Sequence, residues 1–128
     1  MPSPRLIKEL FASDINRRIE EVIKVDQTDE AIIRSELGEY VVTDAIRRHY
    51  EGILDAYAEM PNKPHEGIAV WVSGFFGSGK SSFAKLLGLA IENRDIVGVG
   101  AARRFQDRLS DGRVKAHLTK ISEQIPTV

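Results

Sequence analysis

Apolar positions recur along the chain at helical spacing in several places and collapse into one continuous run in another. Leu6, Ile7, Leu10 and Phe11 mark a short helix-like segment, and Ser13 or Asp14 stands ready to cap the next helix. Ile15, Ile19, Val22 and Ile23 then share one face of that second expected helix, with Arg17, Arg18, Glu20 and Glu21 on the others. Ala31, Ile32, Ile33 and Leu37 predict a third short helix, which Gly38 is placed to end. The Tyr40-Val41-Val42 stretch is short and β-prone. Thr43 or Asp44 opens a longer helix carrying Ile46, Tyr50, Ile53, Leu54 and Tyr57 and stopped by Pro61. Residues 62–67 read as a loop by composition.

Residues 68–73, Ile-Ala-Val-Trp-Val-Ser, break this rhythm. They form an apolar run rich in β-branched residues, the pattern of a buried strand. Beyond a glycine-rich bend at 74–79, Phe83, Leu86, Leu87, Ala90 and Ile91 return to helical spacing and predict a helix over 80–92. Residues 96–99 suggest a further strand, which two nearby glycines weaken. Helices are expected over 101–109 and 112–124, the latter with Val114, Leu118 and Ile121 on its apolar face, before an apolar, extended tail.

Strand, bend and helix in that order frame the sequence GFFGSGKS at 74–81, which fits G-x-x-x-x-G-K-[ST] at every fixed position. Each residue type has its own reason. Gly74, Gly77 and Gly79 reach backbone angles closed to other residues and, lacking a Cβ, admit phosphates closely. Successive N–H groups from Gly77 through Ser78, Gly79, Lys80 and Ser81 to Ser82 form a concave set of donors at the positive end of a helix. Lys80 reaches β- and γ-phosphate oxygens as a point charge. The Ser81 hydroxyl belongs on the Mg²⁺ that bridges those phosphates. A nucleoside triphosphate with Mg²⁺ is therefore the expected ligand, its base left open by the motif. Phe75 and Phe76 are bulky for such a loop and either wall the nucleotide or pack on a neighbouring element.

The rest of the composition narrows the class. The chain has 128 residues, enough for one domain or part of one. Its 42% apolar and 29% charged residues are those of a soluble globular protein. A net charge of −1 sets up no global field toward DNA or an anionic membrane. Cysteine is absent, which excludes disulfides and thiol catalysis. No signal-peptide core and no stretch of membrane-spanning length is seen, so a cytoplasmic protein is expected. His49 reads as a packing histidine, and His65 and His117 have no neighbours at metal-ligand spacing. The Arg17-Arg18, Arg47-Arg48 and Arg103-Arg104 pairs, with Arg108, Arg113 and Lys115, read as solvated helix faces before nucleic-acid contacts. Arg103 or Arg104 acting on a neighbouring subunit's phosphate is an idea without a supporting motif. The carboxylates show no paired arrangement for acid–base work.

The expected fold class is α/β: a helical segment over 1–60, then the start of a P-loop domain over 61–128 whose parallel sheet is incomplete. No apolar strand after Ser81 ends in an acidic residue able to hold the Mg²⁺ shell. The expectation is a fragment with the nucleotide anchor and without the hydrolytic machinery, so no catalytic residue is assigned.

Residues 12–57 and 62–94, with the GFFGSGKS loop as their most specific part, resemble the N-terminal region of the large P-loop ATPase of bacterial BREX phage-defence systems, the BrxC/PglY family. The resemblance implies an AAA+/RecA-like ATP-binding domain of a bacterial cytoplasmic protein, working with other BREX proteins in a complex that excludes phage and marks host DNA. It carries over the nucleotide contacts Gly74, Gly77, Ser78, Gly79, Lys80, Ser81 and Ser82. The AAA+ likeness also implies an extended piece before the loop strand that lines the adenine. Tyr40, Val41 and Val42 suit that job, with Tyr40 stacking on the base, and suit ordinary core packing as well. Two rival functions remain: a non-catalytic assembly module that self-associates or docks sister subunits, and a small-molecule kinase.

Overall fold

The computed structural model describes residues 5–19, 21–63, 67–109 and 111–126. Five helices and one small hairpin make up its regular structure: α1 (Glu30–Glu39), α2 (Asp44–Ala58), α3 (Lys80–Glu92), β1 (Asp95–Ile96), β2 (Val99–Gly100), α4 (Ala101–Gln106) and α5 (Gly112–Gln124). Single 3-10 turns lie at Ile7–Leu10 and Met60–Asn62. The protein is helix-rich with a two-stranded sheet.

Side-chain caps set where the helices begin. Asp29 accepts from the Ala31 and Ile32 amides at 2.9 and 3.3 Å, Thr43 from Ile46 at 3.3 Å, and Asp111 from Arg113 and Val114 at 2.8 and 3.3 Å. Gly38, expected to end α1, lies within it, and its carbonyl accepts from Arg108 at 2.8 Å. The helix closes one residue later, where Tyr40 turns extended.

Each helix buries one stripe into a shared core. Ile33 and Leu37 come from α1, Tyr50, Leu54 and Ala58 from α2, Leu86, Leu87, Leu89 and Ala90 from α3, Phe105 from α4, and Val114, Leu118 and Ile121 from α5. α5 lies along α2, and α3 packs on α4 and α5. Tyr50 is the hub. Its ring stacks on Phe83 (centroids 4.3 Å, planes 5° apart) and meets Phe105 edge-on at 5.0 Å. Its hydroxyl donates to the Phe83 carbonyl at 3.2 Å and contacts the Tyr40 hydroxyl at 3.4 Å. Burial above all pushes the Tyr50 phenol far up, so it stays protonated. A buried ion pair, Lys85 with Glu36, fastens α3 to α1.

Three sequence expectations fail. Residues 15–19 and 21–23 form no helix, because Ile15, Ile19 and Val22 find no surface to pack against and an isolated short helix is marginal in water. Residues 96–99 are not one strand but the tip of a hairpin. Ile96 pairs with Val99 across Val97 (φ 52°) and Gly98 (φ 72°), both left-handed as a two-residue turn requires. That tip is held from outside: Glu30 accepts the Val97 amide at 2.8 Å, and Arg104 donates twice to the Ile96 carbonyl at 2.7 and 3.0 Å.

The third correction concerns the segment before the glycine bend. Residues 68–73 are exposed and belong to no ladder, since no other described strand lies beside them. A strand exists only by pairing, and an apolar run supplies the pattern without the partner. Residues 64–66 of the loop expected over 62–67, with His65, and the last two residues of the tail lie outside the described residues.

Candidate functional site

The bend at 74–79 leads straight into α3, the helix expected over 80–92. Gly77 (φ 75°) and Gly79 (φ 83°) are both left-handed, the conformation that bars side chains. A Cβ on Gly74 would come within 2.6 Å of the Ser78 hydroxyl oxygen. Gly79 caps α3 and has no side chain to offer its first turn. The first helical bond is the Phe83 amide to the Gly79 carbonyl at 2.9 Å. The amides of Lys80, Ser81 and Ser82 therefore have no partner among the described residues.

Lys80 completes the loop from within. Its ammonium donates to the carbonyls of Gly74 at 2.7 Å and Phe75 at 2.6 Å, while the Ser78 amide donates to Phe75 at 3.2 Å. A positive charge and the free amides of a helix end thus belong to the same short bend-to-helix segment. A helix N-terminus behaves as about half a positive charge, and an anion gains there.

Beside the loop opens a cleft of about 540 Å³. Gly74, Phe75, Ser78, Gly79 and Lys80 line one side, and Tyr40, Ile46, His49 and Ile53 the other. Tyr40 is thereby brought to the loop. Val41 is 73% exposed and lines no part of this cleft, and Val42 packs against the core. Ser81 and Ser82 open elsewhere. Ser81 lines a neighbouring hollow of about 720 Å³ with Lys80, Lys85 and Arg94, and Ser82 a smaller one of about 180 Å³ with Glu36 and Tyr40. Lys80 alone of the expected contacts borders both larger cavities.

Sequence reading missed two cleft residues. His49 faces the cleft with Ile46 and Ile53, at the edge of the α2 stripe; their spacing of three and seven positions was the available signal. Trp71 also lines it, 92% exposed, because the expected strand around it is unpaired. Phe75 (91%) and Phe76 (106%) pack on no core element, and only Phe75 walls the cleft.

Most of the basic residues are engaged. Arg104 holds the hairpin, Arg47 pairs with Asp111 at 3.4 Å, Arg113 with Asp55 at 3.1 Å, and Arg17 with Glu39 at 2.7 Å. Arg104 is thus occupied within its own chain rather than held out as a finger. No group of three His, Asp or Glu converges on a metal-sized site among the described residues. No described helix is long and apolar enough to cross a membrane. A scan against protein-family models finds no match, and no solved structure matches the chain.

Proposed function

We propose that this chain binds a nucleoside triphosphate, ATP with Mg²⁺, as the N-terminal region of a P-loop NTPase. One observation carries the reading: two left-handed glycines lead into α3, whose first three amides have no partner among the described residues, and Lys80 borders both the cleft and the neighbouring hollow of Ser81. In this reading the amides and Lys80 take the phosphate oxygens, and the Ser81 hydroxyl contributes to holding the metal. Held there, Mg²⁺ would neutralise phosphate charge. Tyr40, His49 and Trp71, which line the cleft beside Lys80, take the rest of the nucleotide. The assignment is binding, and no catalytic residue is assigned.

The resemblance of residues 12–57 and 62–94 to the BREX ATPase supports a place in a bacterial cytoplasmic phage-defence complex with other BREX proteins. The assembly-module reading is favoured by a separate observation, the exposed apolar run at 68–72. It is compatible with nucleotide binding.

Calorimetric titration with MgATP, MgADP and AMP tests the proposal. A loop that grips through the β-phosphate binds ATP and ADP saturably at one site and AMP at least about tenfold more weakly, as loss of one charge-assisted contact implies. Equal affinity for all three, or none for any, contradicts it.

A further inference from the structure

Trp71 is the single tryptophan of the chain, and it stands 92% exposed in the lining of the cleft that Gly79 and Lys80 border. Tryptophan is highly buried on average, so an indole this open still has nearly all of its apolar face to cover. Tyr40 lines the same cleft in a different state. It is half-buried against the helical core, and its hydroxyl contacts that of Tyr50 at 3.4 Å. Its ring is fixed and partly covered. Trp71 belongs to a segment without regular secondary structure, so its ring can reorient without breaking a helix or a ladder.

The lining of the cleft combines two chemistries. Lys80 and the glycine bend bring a cation and backbone, whereas Trp71, Ile46 and Ile53 bring neutral, apolar surface. A nucleotide combines the matching two, an anionic tail and a flat ring with an apolar face. The volume of about 540 Å³ lies in the ordinary range for small-molecule sites.

Resting on the reading of the loop as a triphosphate anchor, we propose that Trp71 is the platform on which the base of the bound nucleotide stacks, and that the site takes purine nucleoside triphosphates ahead of pyrimidine ones. Trp71 fills this role in place of Tyr40, the stacking residue that the AAA+ likeness implies. A base laid on a bare indole removes apolar area from water on both partners, whereas much of the Tyr40 ring is already covered by the core. Stacking reads ring area and not a hydrogen-bond pattern, since every base has a π-face. A fused two-ring purine covers more of an indole than a single pyrimidine ring does. Adenine and guanine are therefore held alike, and uracil less well.

Tryptophan emission reports this one ring, because the chain has no other. Saturating MgATP or MgGTP is expected to quench it. Magnesium tripolyphosphate, a phosphate tail without a base, is expected to bind and leave the emission nearly unchanged. In calorimetry Trp71→Leu should weaken MgATP roughly 5- to 150-fold, the span of base–aromatic stacking, and leave tripolyphosphate as in the parent. Trp71→Phe keeps an aromatic face and recovers most of the loss, and MgUTP binds the parent more weakly than MgATP. The side chain is exposed, so both replacements spare the core and the helical circular dichroism signal. MgATP binding without quenching overturns the platform and leaves the phosphate anchor standing. So does an equal loss of MgATP and tripolyphosphate in Trp71→Leu, or MgUTP as tight as MgATP. Failure of both MgATP and tripolyphosphate to bind the parent sinks the anchor, and the platform with it.

Discussion

Lys80 donates to the carbonyl of Phe75 at 2.6 Å, so the ammonium spans its own loop instead of projecting into solvent. With the Gly74 carbonyl at 2.7 Å, two of its three N–H donors are taken and one is left for an anion. Shape and charge of the concavity are thus set by one side chain and two left-handed glycines.

Those glycines are separable from the others by substitution. Gly79→Ala forces an L-residue to φ 83° and is expected to cost about 1–2 kcal/mol while weakening nucleotide binding. Gly88 is a helical interior position where an added methyl would meet nothing within 4 Å. Gly88→Ala is expected to stabilise by about 0.5–1 kcal/mol and leave binding alone. Thermal melts beside titrations distinguish the two, and a Gly79→Ala variant as stable and as tight as the parent would refute the strained-loop description.

The ion pair behind the loop makes a second demand. Lys85 is 5% exposed and pairs with Glu36, whose side chain is 14% exposed, so neither charge is well solvated. Removing one partner, as in Glu36→Ala, leaves an uncompensated buried charge and is expected to cost about 3–5 kcal/mol. Replacing both, as Glu36→Leu with Lys85→Met, recovers most of that loss. Urea denaturation of the singles and the double measures the coupling; additive effects would mean the pair does not act as a unit.

Acid should weaken the protein partly through Asp111. Hydrogen bonds from the Arg113 and Val114 amides hold its carboxyl below the ordinary value, helped by nearby Arg47 and Arg113. A depressed folded-state pKa stabilises fully above the unfolded value of about 3.9 and loses that contribution as pH falls through the lower folded value. Asp111→Asn keeps a capping oxygen without the charge, so its stability is expected to vary less with pH below about 5 than the parent's. Identical pH profiles in thermal melts would exclude the assignment.

Legibility in the sequence followed burial. The stripes of α2, α3 and α5 were readable because each packs its own face into the core, as Tyr50, Leu86 and Leu118 do. The equally regular pattern of Ile15, Ile19 and Val22 formed no helix because periodicity states what a segment would bury and not whether a surface exists to receive it. The same physics left residues 68–73 unpaired. The hairpin escaped detection since a β-branched Val97 at φ 52° is held by Glu30 and Arg104, residues remote from any local turn signal. The tight bend through Gly77 and Gly79 and the start of α3 at Lys80 were legible from spacing alone. His49 and Trp71 were not, because their place beside the loop depends on how α2 and the unpaired run lie against it.

The most direct measurement is calorimetric titration of MgATP into the parent chain and into Lys80→Ala, with helical content checked by circular dichroism. Loss of a charge-assisted contact worth about 1.5–3 kcal/mol should weaken binding roughly 10- to 100-fold while the helices persist. Equal affinities in two folded proteins would contradict a phosphate held by this loop.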